Sequence, residues 1–298
     1  MPASRLAPGL VLLAAFAASQ EPPRVMSSAD LARLPQPPAD RVIAYGAAPQ
    51  QVAELRVPNG PGPHPVVILV HGGCWQTPWA FDHVRSLAAA LTAEGYATWS
   101  LEYRRLGDPG GGWPGTLADV ARGADEIRSV AAAQRLDLAR VVAVGHSAGG
   151  QLALWLAARR KLPKESPLWS EAPLPLRGVV SLAGVNDLRQ GASGQVCGDA
   201  IPRLLGGPPE QQAERVRQSS PIELVPLGVP QRLVCGALDA LVPNELSRGY
   251  EAAAARAGDV VKLEIVERVG HFELVDPTSR AWASVLAAVR ELERPPGD

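Results

Sequence analysis

Ser147, Asp239 and His271 are the residues whose types and chain order could do chemistry together. Ser147 stands in Gly145-His146-Ser147-Ala148-Gly149, after the apolar run Val141-Val142-Ala143-Val144 and before a helix-like stretch, Gly150-Gln151-Leu152-Ala153-Leu154-Trp155-Leu156. A strand, a sharp turn and a helix around a G-x-S-x-G pentapeptide hold the hydroxyl clear of the backbone, at a helix N-terminus that favours negative charge. So tight a turn excludes bulk beside the serine, hence glycine at 145, 149 and 150. A hydroxyl held this way is a nucleophile that needs a base.

Of the five histidines, His64, His71, His83, His146 and His271, only His271 lies beyond the pentapeptide. It follows the alternating segment 261–266, which reads as a strand, so it falls on a loop after the last strand. Asp187, Asp199, Asp239 and Asp259 all lie between serine and histidine. Asp239 follows the run 232–236, at the end of a strand where ligand-facing loops emerge. It is the preferred acid, with Asp187, one strand earlier, as the alternative. The unused one is expected in a turn or at an N-cap. Serine, acid, histidine is a known chain order for a triad performing acyl transfer.

Such a reaction needs donors for a developing oxyanion. The continuous apolar run Val66-Val67-Ile68-Leu69-Val70, expected to be covered on both faces, ends in His71-Gly72-Gly73-Cys74-Trp75. Its glycines let N–H groups turn inward, so Gly72, Gly73 and Ala148, the residue after the nucleophile, form the expected oxyanion site. The Cys74 N–H is a substitute. Trp75, inside this loop, is the expected substrate contact, while Trp79 and Trp113 read first as packed aromatics.

The elements that must position these residues alternate. Strands are expected at 41–46, 51–57, 66–70, 97–103, 140–145, 177–183, 232–236 and 261–266, the first two as an antiparallel hairpin. Helices are expected at 82–93, 116–134, 147–160, 244–257 and 279–293. This alternation predicts an α/β domain with a mostly parallel sheet and helices on both faces. The long Gly- and Pro-bearing stretch from about 188 to 230 reads as a small cap over the site, with short helical pieces such as 211–217. Glu102-Tyr103-Arg104-Arg105 reads as an ion-paired scaffold.

Composition agrees. The 298 residues are 46% hydrophobic and 20% charged, with a net charge of −1, so there is no basic footprint for nucleic acid. No metal motif such as H-E-x-x-H occurs, and no cofactor is required by the chemistry above. Arg5 followed by the uncharged, mostly apolar stretch 6–18, with small residues around 15–19, has the form of a secretory signal over 1–19. It is too short to span a bilayer and no cysteine follows it, so export without a stable membrane anchor is expected. Residues 20–40 read as a Pro-rich linker and 41–298 as the folded domain. Cys74, Cys197 and Cys235 leave any pairing open, Cys197 with Cys235 among the options.

The motifs His71-Gly72-Gly73-Cys74-Trp75 and Gly145-His146-Ser147-Ala148-Gly149-Gly150 resemble the α/β-hydrolase superfamily. The closest likeness is to the esterase/lipase branch holding arylformamidase (kynurenine formamidase) and feruloyl-esterase-like bacterial hydrolases. The segments 236–243 and 270–277 resemble that branch's acid and histidine loops, and the likeness spans about 40–294. Cys74 and His146 stand where the hormone-sensitive-lipase branch usually has glycine and aspartate, which separates the chain from that group. The resemblance implies an α/β-hydrolase fold and a serine esterase acting on a small-molecule carboxylic ester. The alternative is an arylformamidase hydrolysing N-formylkynurenine. No feature of the sequence assigns an oligomeric state.

Overall fold

The computed structural model describes residues 24–294. Its strands are β1 (Arg41–Ala44), β2 (Val52–Arg56), β3 (His64–Val70), β4 (Ala97–Leu101), β5 (Leu136–His146), β6 (Gly178–Leu182), β7 (Gln231–Gly236) and β8 (Val261–Val266). They form one sheet in the order β1-β2-β4-β3-β5-β6-β7-β8. β2 runs antiparallel to β1 and β4, and all other neighbours are parallel. This is the α/β-hydrolase architecture that the motifs implied.

The helices are α1 (Ser28–Leu31), α2 (Arg85–Ala93), α3 (Gly115–Ala131), α4 (Ala148–Ala158), α5 (Leu188–Ser193), α6 (Ala200–Leu205), α7 (Ala213–Ser219), α8 (Asn244–Arg256) and α9 (Trp282–Glu293). Side chains alternate across a strand, so β3 divides its apolar run between two cores. Val66, Ile68 and Val70 pack with Leu117 of α3, Leu152 and Trp155 of α4 and Tyr250 of α8. Val67 and Leu69 pack with Leu87 and Leu91 of α2 and Val285 and Val289 of α9. Both faces are thereby covered, which is why the runs 66–70 of β3 and 141–144 of β5 carry no polar alternation. The edge strand β8 alternates between half-buried and exposed residues over most of its length.

Some boundaries differ from the sequence reading. β5 begins at Leu136 because Leu136 and Asp137 pair with His64 and Pro65 before a register shift. The helix expected at 82–93 is a 3₁₀ turn, Phe81–Val84, leading into α2. The stretch from 188 to 230 holds short helical pieces, α5, α6, α7 and a 3₁₀ turn, Pro221–Leu224, the piece expected at 211–217 being α7.

The segment expected as a linker is docked on the body from Arg24 onward. Ser27 and Asp30 form a capping box around α1. The Met26 N–H donates to Glu273 Oε1 at 2.6 Å, and Leu31 is buried in the α2–α9 core. Its prolines and polar residues concealed this apolar anchor, against whose core Met26 and Leu34 also pack. The signal expected over 1–19 lies outside the described residues.

Candidate active site

Four loops, at the C-terminal ends of β3, β5, β7 and β8, converge around Ser147. The serine occupies a left-handed backbone conformation, φ 57° and ψ −122°, a strained state for a residue with a side chain. Its surroundings hold it there. The Ser147 N–H donates to the Leu182 carbonyl at 2.8 Å, and its own carbonyl accepts from Gly150 N–H at 2.9 Å. A Cβ on Gly145 would lie 1.9 Å from the Gly149 carbonyl oxygen, so only glycine permits this turn. Ala148 then opens α4, where the first amides have no intrahelical acceptor.

His271 follows β8 and shares its Nδ1 proton with Asp239 Oδ2 at 2.7 Å. The other carboxylate oxygen of Asp239 accepts from the Leu241 and Val242 N–H groups at 2.8 and 2.9 Å. The Asp239 side chain is fully buried, so the carboxylate is fixed both in place and in orientation. Asp187 instead caps α5, accepting from the Arg189 and Gln190 N–H groups. Asp259 accepts from the Leu227 and Gly228 N–H groups. The structure thus brings Asp239 to His271, gives Asp187 and Asp259 cap and turn duties, and leaves Asp199 exposed beside Arg203.

The loop after β3 is braced from below. His71 Nε2 meets Glu102 Oε1 at 3.0 Å, its Nδ1 meets the Gly72 carbonyl at 2.7 Å, and its ring stacks on Tyr103 at 4.3 Å. The Tyr103 hydroxyl donates to the His71 carbonyl at 2.9 Å. A trans peptide sets C=O and N–H on opposite sides. Holding the Gly72 carbonyl therefore turns the Gly73 N–H away from His71. Gly73 has φ +104° and lines the cavity beside Ser147, and Gly72 packs against His146 and Ser147. Burial acts to raise the Glu102 carboxyl, but His71, Arg105 and the Tyr103 N–H outweigh it and hold it below its ordinary value. Glu102 also accepts from the Phe81 N–H, while Arg104 pairs with Asp119.

Two histidines that the sequence reading left without a role lie beneath the site. His146 Nε2 is 3.0 Å from the His271 carbonyl oxygen, and His83 Nε2 is 2.7 Å from His146 Nδ1. A carbonyl only accepts, so His146 carries its proton on Nε2 and accepts a hydrogen bond at Nδ1 from the His83 Nε2–H. Burial, with His271 and the neighbouring histidines adding repulsion, pushes both imidazoles well below their ordinary value, so both are neutral. His83 Nδ1 is left buried with no partner. Position 146 is inside the pentapeptide, but no pattern links it to His83, which is 63 residues away.

A cavity of about 170 Å³ opens on Ser147 and His271. Its walls are largely apolar: Trp79, Leu241, Val242 and Phe272, with Gly73, His83, Cys74 and Cys197. Trp75, expected to contact substrate, is absent from them. It is fully buried and donates its indole N–H to Gln151 Oε1 at 3.0 Å. The positive φ of Cys74 and Trp75 turns that ring into the core, and Trp79 takes the position facing the cavity. Trp113 lies in a separate surface groove with Gln211 and Arg215. The cysteine pair is Cys74–Cys197, not Cys197–Cys235, because the cap brings Cys197 over the β3 loop while Cys235 is buried in β7. A larger open groove, lined by Arg177, Arg232 and Trp282, lies where β6 and β7 begin, away from these side chains. Among the described residues, no group of three or more His, Cys, Asp or Glu is placed to hold a metal ion.

Comparisons with known proteins agree with this fold. The BD-FAE family model matches residues 55–253. The chain is similar to esterase LipC of Mycobacterium tuberculosis (strain ATCC 25618 / H37Rv), 26% identical over 263 residues that cover 84% of this chain and 65% of the relative. It therefore spans just under two thirds of that relative's length. Among solved structures, a truncated carbohydrate esterase from gut microbiota has a TM-score of 0.73 at 20% identity, over 86% of this chain and 99% of the other. The native esterase Est2 of Thermogutta terrifontis has a TM-score of 0.71 at 21% identity, over 90% and 100%. At these identities the two structures speak for the fold.

Proposed function

This chain belongs to the BD-FAE family, and from that membership and its site geometry we propose that it is a serine esterase for carboxylic esters with a short acyl group. The observation that carries the reading is the convergence of Ser147 and His271 on one small apolar cavity, with Asp239 on the far nitrogen of that histidine. Ser147 Oγ attacks the ester carbonyl while His271 Nε2 takes its proton and passes it to the departing alkoxide. Asp239 keeps the imidazole in the tautomer with Nδ1 protonated and stabilises its charged form. The oxyanion is received by the N–H groups of Gly73 and Ala148, with Gly72 beside them. Water then attacks the acyl-enzyme, with His271 again as base.

Cavity volume sets the acyl size. At about 30 Å³ for each water-sized group, about 170 Å³ holds roughly five or six of them, which suits acetyl to butyryl. The Thermogutta terrifontis esterase of similar fold has been solved with propionate and with butyrate bound, and phosphorylated by paraoxon. Export is part of the proposal: a disulfide between Cys74 and Cys197 suits an oxidising compartment, as does a leader over 1–19. Sequencing the N-terminus of the mature protein tests that part, and an intact Met1 in an unexported product overturns it.

The activity is tested by comparing wild type and Ser147→Ala on p-nitrophenyl acetate, butyrate and octanoate and on N-formylkynurenine, with paraoxon labelling followed by mass spectrometry. Short-ester turnover that vanishes in the variant, and a label confined to Ser147, are expected. Hydrolysis that survives the substitution overturns the mechanism. A strong preference for N-formylkynurenine replaces the substrate class with an arylformamide.

A further inference from the structure

Cys197 belongs to the turn between α5 and α6, and Cys74 directly follows Gly73 in the loop after β3. The disulfide joining them spans 123 residues of sequence, and both cysteines line the cavity with Ser147 and His271. It therefore closes one wall of the pocket and ties the cap to the loop that carries the expected oxyanion donors.

Among the described residues, the backbone hydrogen bonds of this cap turn close on the cap itself. Gln195 N–H donates to Ala192, Val196 to Gly191, Gly198 to Gln195 and Ala200 to Cys197. Gln195, Cys197 and Gly198 all have positive φ, so the turn takes its shape at some conformational cost. Cys74 and Trp75 share that feature on the other side of the bond. Two locally strained turns are held face to face by one covalent link. Val196 and Ile201 remain buried in the core, and the Trp113 N–H still reaches the Leu204 carbonyl at 2.8 Å. The cap therefore has other anchors, and what the disulfide adds is the position of the turn over the cavity.

We propose that the Cys74–Cys197 disulfide is the specificity-determining wall of this site: intact, it confines the acyl chain to short lengths, and its reduction lets the cap turn withdraw so that longer acyl chains enter. The proposal rests on the esterase reading above. A dithiol such as dithiothreitol supplies the chemistry. One thiolate attacks a cysteine sulfur and forms a mixed disulfide, and the second displaces the remaining cysteine. Two electrons and two protons pass to the protein, Cys74 and Cys197 become thiols, and the reductant becomes a cyclic disulfide. Both cysteines are half-buried, within reach of such a reagent. Cys235 takes no part, because burial, then the charge of Asp239, pushes its thiol up to about 11.

The experiment measures kcat/KM on p-nitrophenyl acetate, butyrate and octanoate for the oxidised protein, the dithiothreitol-treated protein and Cys74→Ala/Cys197→Ala, with thiols counted by mass spectrometry after alkylation. The octanoate-to-acetate ratio is expected to rise about tenfold in the reduced protein and in the double variant, the low end of what a pocket wall discriminates. Reoxidation restores the wild-type ratio, and dithiothreitol leaves the double variant unchanged. An unchanged ratio in a reduced, active protein overturns the proposal, as does an equal loss on all three esters. If the double variant does not fold, the reduced and reoxidised wild type decide alone. Absence of hydrolysis in every form defeats the esterase reading instead, so the two failures are distinguishable.

Discussion

The His146 side chain reaches the backbone of His271 rather than its ring, its Nε2–H meeting the carbonyl at 3.0 Å while Asp239 holds the ring through Nδ1. The base is thus gripped at two points, and the two grips differ in charge. In the proposed mechanism Asp239 is an acid that stabilises the imidazolium formed during acyl transfer, whereas His146 is neutral. A cation at His146, with ring centroids 4.4 Å apart, would oppose that imidazolium. Burial of the His83–His146 pair keeps the second grip uncharged.

This pair makes stability depend on pH with a definite sign. Both pKa values are depressed on folding, so below about pH 6.5 the unfolded chain binds more protons than the native one and stability rises with pH. The contribution is complete above that range and is lost as pH falls through it, at up to about 1.4 kcal/mol per pH unit for each histidine. His83→Gln, which still offers an N–H to His146, is expected to remove about one proton's worth of this slope. Urea unfolding at pH 7.5, 6 and 5 measures it; an unchanged slope shows that His83 does not titrate on unfolding.

Asp239→Asn retains an oxygen for the Leu241 and Val242 N–H groups but presents the wrong partner to His271 Nδ1. Turnover is expected to fall by roughly 10⁴. The melting temperature should move by only a few degrees. Steady-state kinetics and a thermal melt on one preparation separate the two effects.

In the proposed mechanism His71 acts on the reaction through the Gly72 carbonyl. His71→Asn is expected to cost about 10² in kcat with KM nearly unchanged, because the Gly73 N–H is needed only when charge appears on the oxyanion. A loss confined to KM would assign the loop to substrate binding instead.

Trp75 and Trp79 should part company. Trp75→Phe leaves Gln151 Oε1 buried without its donor and is expected to cost about 1–3 kcal/mol with no change in acyl preference. Trp79→Ala removes a cavity wall and is expected to favour longer esters. Chemical denaturation and a p-nitrophenyl ester series distinguish the pair.

Removing the disulfide also has a thermodynamic consequence. Closing a loop of 123 residues restricts the unfolded chain, so Cys74→Ala/Cys197→Ala is expected to lose about 2–5 kcal/mol. Equilibrium unfolding of the oxidised wild type and of the variant measures the difference.

Local rules made much of this protein legible in its sequence. Gly145 is demanded by one turn, and the apolar runs 66–70 and 141–144 by strands covered on both faces. Chain order singled out His271, and position at a strand end favoured Asp239 over Asp187. The remaining decisions were tertiary. Whether Trp75 or Trp79 faces the cavity depends on the positive φ of two consecutive residues, Cys74 and Trp75, which residue type does not announce. The disulfide partner of Cys74 depends on where an irregular cap lays a turn 123 residues later. Leu31 became core only because α2 and α9 present a surface for it. The His83–His146–His271 chain joins the turn after β3, the elbow after β5 and the loop after β8, three segments that only the folded sheet makes neighbours. Periodicity and turn chemistry act over a few residues and can be read along the chain. Contacts between loops follow from the relative placement of whole strands, and the packed core alone supplies that.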